Sequence, residues 1–190
     1  MLKYYFNRDL IMTPWIQNVA LSDIKKGHHI SAGENSMLIQ IVDPDLDFPV
    51  PMHKFKETHQ FKFLDLEKDD HFASELKITD QQAEQLVNLL QQAMDNRMNV
   101  VVHCVAGVCR SGAVCEVGVM MGFRDTEVFR SPNLLVKHKM MKVLGWTYDE
   151  NEPHTVNGRP VDEEWTNDNE KVFILATERR KDREHREGDI

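Results

Sequence analysis

The chain has 190 residues, 41% of them apolar and 28% charged, which is enough apolar material for one ordinary globular core with a tail left over. Its longest apolar runs, such as 37–42 and 99–105, fall well short of the roughly 20 residues a membrane span needs, so no membrane association is expected. With 23 basic residues against 31 acidic ones the net charge is −8, which disfavours nucleic acid and anionic membranes as partners. One local anion site stays open, because it needs only a few well-aimed donors. Arg8 and Asp9 interrupt before any apolar leader can form, so the expected compartment is the cytoplasm. Cys104, Cys109 and Cys115 are an odd, closely clustered set with no Cys-x-x-Cys pair. That argues against a disulfide framework and weakly for zinc, so neither metal nor cofactor is expected.

In chain order, residues 16–24 and 37–42 read as strands separated by the polar Gly/Ser/Asn segment 27–35. Residues 43–51 hold three prolines and three aspartates and read as a loop. Phe61, Phe63 and Asp65 alternate with Lys62 and Leu64, the pattern of a strand ending near Asp65, and 67–74 follows as a charged loop. Thr79 with Gln82 three residues on forms a capping box. Ala83, Leu86, Val87, Leu90, Ala93 and Met94 then repeat at helical spacing, up to a polar stop at 95–99. Val100, Val101 and Val102 suit a central strand buried on both faces. Residues 103–110 read as a Gly-containing loop and 111–123 as a buried helix rich in small residues. Ser131 as N-cap and Pro132 at the first helical position open a further helix that stops near Gly145. The expected fold is α/β: a central, mostly parallel sheet flanked by helices, with a site at the carboxyl end of a strand. Residues 1–147 are expected to form the catalytic domain, 148–177 an acidic extension in which 171–177 could be a short helix or strand, and 178–190 a charged, disordered tail.

The chemistry concentrates in the segment from Val100 to Gly112. A buried strand delivers Cys104 to the start of a tight loop, and a helix begins at once after Arg110. Such a loop can turn the amides of Val105, Ala106, Gly107, Val108, Cys109 and Arg110 inward as an anion nest, to which the helix N-terminus adds its own N–H groups. Arg110 can offer a planar fork to two phosphate oxygens. The same surroundings favour a thiolate at Cys104, and a thiolate beneath a cradled phosphate is a nucleophile aimed at phosphorus.

His103-Cys104-x-x-Gly107-x-x-Arg110-Ser111 resembles the signature of cysteine-dependent protein phosphatases, most closely their dual-specificity branch with its small bacterial and phage-like members. Ser131-Pro132-Asn133 is similar to the Pro-Asn that opens a later helix in that branch, so the resemblance runs from about 61 to 144. It implies that Cys104 attacks phosphorus and that Arg110 and the loop amides hold the phosphoryl oxygens. It further implies that Ser111 hydrogen-bonds the sulfur and that His103 supports the loop without acting as a base. A general acid should lie on the loop before the helix at 79. Of Asp65, Asp69 and Asp70, the placement of Asp70 fits the family best, and Asp65, at the end of the strand alternation, comes next.

Cys109 departs from the dual-specificity pattern. Cys-x4-Cys-Arg-Ser is how low-molecular-weight phosphatases begin their loop, but here the signature lies mid-chain behind a full helix and strand. Two cysteines at the ends of one tight loop could also come within disulfide range. The resemblance points to a phosphomonoesterase, with a phosphorylated protein as the expected substrate. RNA 5′-phosphates, phosphoinositides, a phosphate-binding module without turnover and a rhodanese-like sulfur transferase are the competing readings. The loop holds no lysine between Cys104 and Arg110, which weighs against highly charged phosphoinositides.

Overall fold

The structure, a computed structural model, describes residues 13–28, 30–67, 74–146, 155–156 and 159–160. The chain divides into two units, residues 1–149 and 150–190. In the first unit, strand β1 (Trp15–Ala20) leads into helix α1 (Leu21–Lys26), followed by β2 (Ser36–Val42) and β3 (Glu57–Lys62). A 3-10 turn (Ser74–Leu76) and helix α2 (Asp80–Asp95) then lead to β4 (Asn99–Cys104), helix α3 (Arg110–Met121), the short β5 (Arg124–Asp125) and helix α4 (Leu134–Val143). In the second unit the described residues are two short antiparallel strands, β6 (Thr155–Val156) and β7 (Arg159–Pro160). The expectations for 171–177 and 178–190 lie outside the described residues.

The sheet has five strands in the order β3-β2-β4-β1-β5, and every neighbouring pair is parallel, where the order of elements predicts a mostly parallel sheet. Parallel pairing brings the carboxyl ends of all the strands to one edge. β4 lies at the centre between β2 and β1. Its two-residue side-chain period divides it cleanly: Val100, Val102 and Cys104 join the larger apolar core with Ile39, Leu86, Leu90, Val114 and Val117, while Val101 joins the smaller core with Val19, Ile24 and Leu38. Each such fully buried aliphatic side chain contributes roughly 1.5–3 kcal/mol over an exposed one. The capping box of α2 forms as expected, with Thr79 Oγ1 accepting from Gln82 N at 3.1 Å and Gln82 Oε1 accepting from Thr79 N at 3.0 Å.

Four local expectations are corrected. The strand expected at 16–24 ends at Ala20, and Leu21 begins a helix. Asp23 in the first turn, Lys25 and Lys26 in the last and Gly27 in the left-handed conformation are the signals that outweigh the apolar run. β3 stops at Lys62 rather than near Asp65, although Phe61 and Phe63 both stay buried as their alternation requires. The reading of 103–110 as loop is too long at both ends: His103 and Cys104 belong to β4, and Arg110 opens α3. Finally, Asn133 rather than Ser131 caps α4, accepting from Val136 N at 3.0 Å, so Pro132 precedes the helix instead of starting it.

Candidate active site

Cys104 is the last residue of the central strand and is almost wholly buried at the base of the loop. Its sulfur lies 3.2 Å from Ser111 Oγ and receives a hydrogen bond from Gly107 N at 3.2 Å. Gly107 has φ +76, a conformation that glycine adopts without steric cost. A Cβ there would stand 2.4 Å from the carbonyl carbon of Val19 and from the nitrogen of Ala20, so the loop rests directly on the end of β1.

The loop carbonyls are tied to donors outside the loop. Leu21 N donates to Val105 O at 3.3 Å, and the Asn18 amide donates to Gly107 O at 2.8 Å. Asn133 N and Ala113 N both donate to Cys109 O, at 3.1 and 2.9 Å. In a planar trans peptide the N–H points opposite to its carbonyl. The peptide units holding Ala106 N–H and Val108 N–H therefore aim those donors away from β1. With the Val105, Gly107 and Cys109 carbonyls held by donors outside the loop, the Ala106 and Val108 amides are left to face an anion as a nest does.

Arg110 is 3% exposed. Its Nη1 donates to Phe63 O at 2.6 Å and lies 2.6 Å from Asp43 Oδ1. Its Nε is buried with no hydrogen-bond partner, and the Asp65 carboxylate stands 3.9 Å from it. Asp65 is in turn held by the Asn133 amide, which donates to Oδ1 at 2.7 Å and to Leu66 O at 3.3 Å. Asn133 thus joins three parts of the site: it caps α4, holds the Cys109 carbonyl through its N–H, and holds Asp65. Behind the loop, Arg130 bonds Glu116 at 3.1 Å and Asp125, fixing the segment whose Phe129 carbonyl accepts a second bond from Asn18 at 2.9 Å.

His103 is fully buried, with Nδ1 3.5 Å from Cys104 O. Burial lowers its imidazole from 6.5 to about 4, so it is neutral at physiological pH. Cys109 and Cys104 are both free thiols. Burial, and then the charge of Asp65, push the Cys109 thiol up to about 12. A thiol held protonated in this way is a poor nucleophile for trapping an oxidised Cys104, which works against the disulfide that the spacing alone leaves open. Burial also raises the Cys115 thiol, which lies in the core.

The structure therefore brings together Cys104, the loop amides, Arg110, Ser111 and Asp65. Asp69 and Asp70 lie outside the described residues. Sequence reasoning passed over Asp43, which it treated as a loop residue, and Asn18, which it treated as part of a strand. The one available signal for Asp43 is position, a polar residue directly after a buried strand of a parallel sheet, whereas Asn18 lies inside β1, two residues before its end. Among the described residues no group of three or more His, Cys, Asp and Glu side chains could hold a metal ion, and no helix is long and apolar enough to cross a membrane.

Residues 68–121, which span β4, the loop and α3, match the family model Tc-R-P, described as a DSP-PTPase phosphatase of polymorphic toxin systems. The chain resembles cysteine-dependent phosphatases of the dual-specificity kind. Among solved structures it is similar to OH1 from the Orf virus, a tyrosine phosphatase described as having distinct structural features and triple substrate specificity. The identity is 13% over 69% of this chain and 83% of that one, with a TM-score of 0.41. No curated protein matches the chain.

Proposed function

We propose that the protein is a cysteine-dependent phosphomonoesterase that works through a cysteinyl-phosphate intermediate, with a phosphorylated protein as its substrate. The observation that carries the reading is the joint geometry at the end of β4. A cysteine sulfur meets a loop amide and a serine hydroxyl, and the same loop ends at a buried arginine whose Nε has no hydrogen-bond partner. In this reading Cys104 Sγ attacks phosphorus and the phosphorus–oxygen bond to the leaving group breaks. The N–H groups of Val105 to Arg110 and the Arg110 fork hold the phosphoryl oxygens as charge spreads over them. Water then attacks the cysteinyl-phosphate, phosphate leaves, and Ser111 donates to the departing thiolate.

Asp65, which the sequence ranks after Asp70, is the general acid of this proposal because its carboxylate stands beside Arg110. The Asn133 amide occupies its Oδ1, so Oδ2, the oxygen recorded 3.9 Å from Arg110 Nε, is the one that carries the proton to the leaving oxygen. His103, neutral and buried, shapes the strand end and takes no proton from the substrate. A cytoplasmic, soluble setting suits this chemistry, which needs a reduced thiol.

The test is Cys104→Ser. It removes the thiolate and leaves the amides and Arg110 intact, so turnover of p-nitrophenyl phosphate should disappear while inorganic phosphate still binds. Arg110→Lys should lose both, because an ammonium cannot make the bidentate pair. Wild-type turnover in Cys104→Ser would refute the mechanism. A wild-type protein that binds phosphate without hydrolysing any phosphomonoester would favour a recognition module instead.

A further inference from the structure

Two carboxylates flank Arg110, and they do not stand in equivalent places. Asp65 faces Nε at 3.9 Å, while Asp43 meets Nη1 at 2.6 Å. A guanidinium Nη1 carries two hydrogens, and here both have acceptors, the Asp43 carboxylate and the Phe63 carbonyl. The edge left for a ligand is the one formed by Nε and Nη2, and Nε is buried without a hydrogen-bond partner. We infer that Asp43 is a positioning residue for the phosphatase reaction: it anchors Arg110 by Nη1 so that the Nε/Nη2 edge is turned to the phosphoryl group. The inference rests on the function proposed above and adds a residue to it.

The chain around Asp43 is built to hold a carboxylate still. Asp43 directly follows β2, every residue of which is buried and which pairs with β4 on one side and β3 on the other. Asp43 O accepts from Leu46 N at 3.0 Å, closing a four-residue turn with Pro44 at its second position, where proline's fixed φ favours the turn. The register sets Gln40 opposite His103, so β2 passes Cys104 at Ile41 and delivers Asp43 just beyond the level of the sulfur. Phe63, the second anchor, follows the end of β3, and its N–H bonds Val42 O at 3.2 Å. The two acceptors of Nη1 are thus the residues that follow β2 and β3, tied together by the sheet itself.

Charge and geometry make opposite forecasts for Asp43, and this makes the inference testable. A carboxylate beside an anion site repels the anion, so removing it on charge alone should tighten phosphate binding. Removing an anchor should loosen it. The experiment compares Asp43→Ala, which removes the acceptor, with Asp43→Asn, which keeps an Oδ1 acceptor and removes the charge. In the full chain, kcat/KM is measured for p-nitrophenyl phosphate and for an alkyl phosphate, and inorganic phosphate affinity is measured by calorimetry in a Cys104→Ser background. Asp43→Ala should lose about 10- to 100-fold in kcat/KM on both substrates, the size expected for a misplaced binding group, and should bind phosphate more weakly. Asp43→Asn should recover most of the turnover and bind phosphate at least as tightly as the parent. Equal losses in both variants, unchanged turnover in Asp43→Ala, or a loss confined to the alkyl phosphate would overturn the inference, the last by making Asp43 the acid. If the wild-type protein hydrolyses neither substrate, the phosphatase reading fails by itself, and the order of phosphate affinities still decides whether Asp43 orients Arg110.

Discussion

Gly107→Ala is the sharpest perturbation of the loop. The residue sits at φ +76, where an L side chain costs about 1–2 kcal/mol. Its new Cβ would also meet Val19 C and Ala20 N at 2.4 Å and Val19 O at 2.6 Å, all of them backbone atoms. The strand cannot retreat, because Val19 and Ala20 are in register with His103 and Cys104 on β4. The loop must move instead, at a cost of about 1–3 kcal/mol for forced overpacking. Together the two effects amount to roughly 2–5 kcal/mol, which for a chain of this size lowers the melting temperature by about 4–20 °C. The movement would also pull Gly107 O from Asn18 and Gly107 N from the Cys104 sulfur, so turnover should fall with stability. Gly33→Ala is the control: its φ is +74, yet nothing lies within 4 Å of the added Cβ. It should show the conformational cost alone, about 1–2 kcal/mol, and keep full activity. Thermal melts and p-nitrophenyl phosphate assays on both variants decide the matter. A Gly107→Ala protein that melts with Gly33→Ala and retains its activity would refute the claim that the loop is seated on β1.

Asp65→Asn should cut turnover of an alkyl phosphate by about 10²–10⁴-fold and leave p-nitrophenyl phosphate nearly untouched, since p-nitrophenolate scarcely needs a proton. If Asp70→Asn shows that pattern and Asp65→Asn does not, the acid belongs to the loop before α2. His103 makes a separate forecast for stability against pH. Its folded pKa of about 4 lies below the 6.5 of the unfolded chain, so the unfolded state takes up the proton first as pH falls. The stabilisation from keeping it neutral is whole above pH 6.5 and is lost progressively down to pH 4, about 3 kcal/mol in all. Urea unfolding from pH 7 to 4 should therefore show a shallower decline for His103→Gln than for wild type, and identical declines would refute the assignment.

Much of the site was legible because its parts are local in sequence. The Val100 to Val102 run marks a strand buried on both faces, and the spacing from Cys104 to Arg110 and Ser111 lies within one loop and one helical turn. The capping box at Thr79 and Gln82 is likewise a four-residue signal, and it located the start of α2 to the residue. Where two local signals competed, the reading went astray. Ile16, Val19 and Ile24 look like one apolar stretch, but Asp23, Lys25, Lys26 and Gly27 carry the charge order and the left-handed stop of a helix. Ser131-Pro132 has the form of a helix start, yet Asn133 caps α4, and its side chain and N–H also reach Asp65, Leu66 and Cys109.

Asp43 and Asn18 were illegible for a different reason. Neither lies near the signature in sequence, and what joins them to it is the lateral order of strands, β2 and β1 on the two sides of β4. Asn18 is in register with Val102, with Gly107 above it, and Asp43 reaches Arg110 across 67 residues of chain. A hydrophobic run shows that a strand is buried, but its neighbours are set by pairing partners the run does not name. The consequence is directional. In an all-parallel sheet every strand ends on the same edge, so once one strand end is known to carry a nucleophile, the polar residues at the ends of the adjoining strands become candidates by topology alone. Here that rule singles out Asp43, directly after β2, the extended chain after β3 adds Phe63 O and Asp65, and Asn18 contributes from within β1, two residues before its end. Three of these four touch Arg110 or stand beside it, and the fourth, Asn18, holds the loop that Arg110 closes.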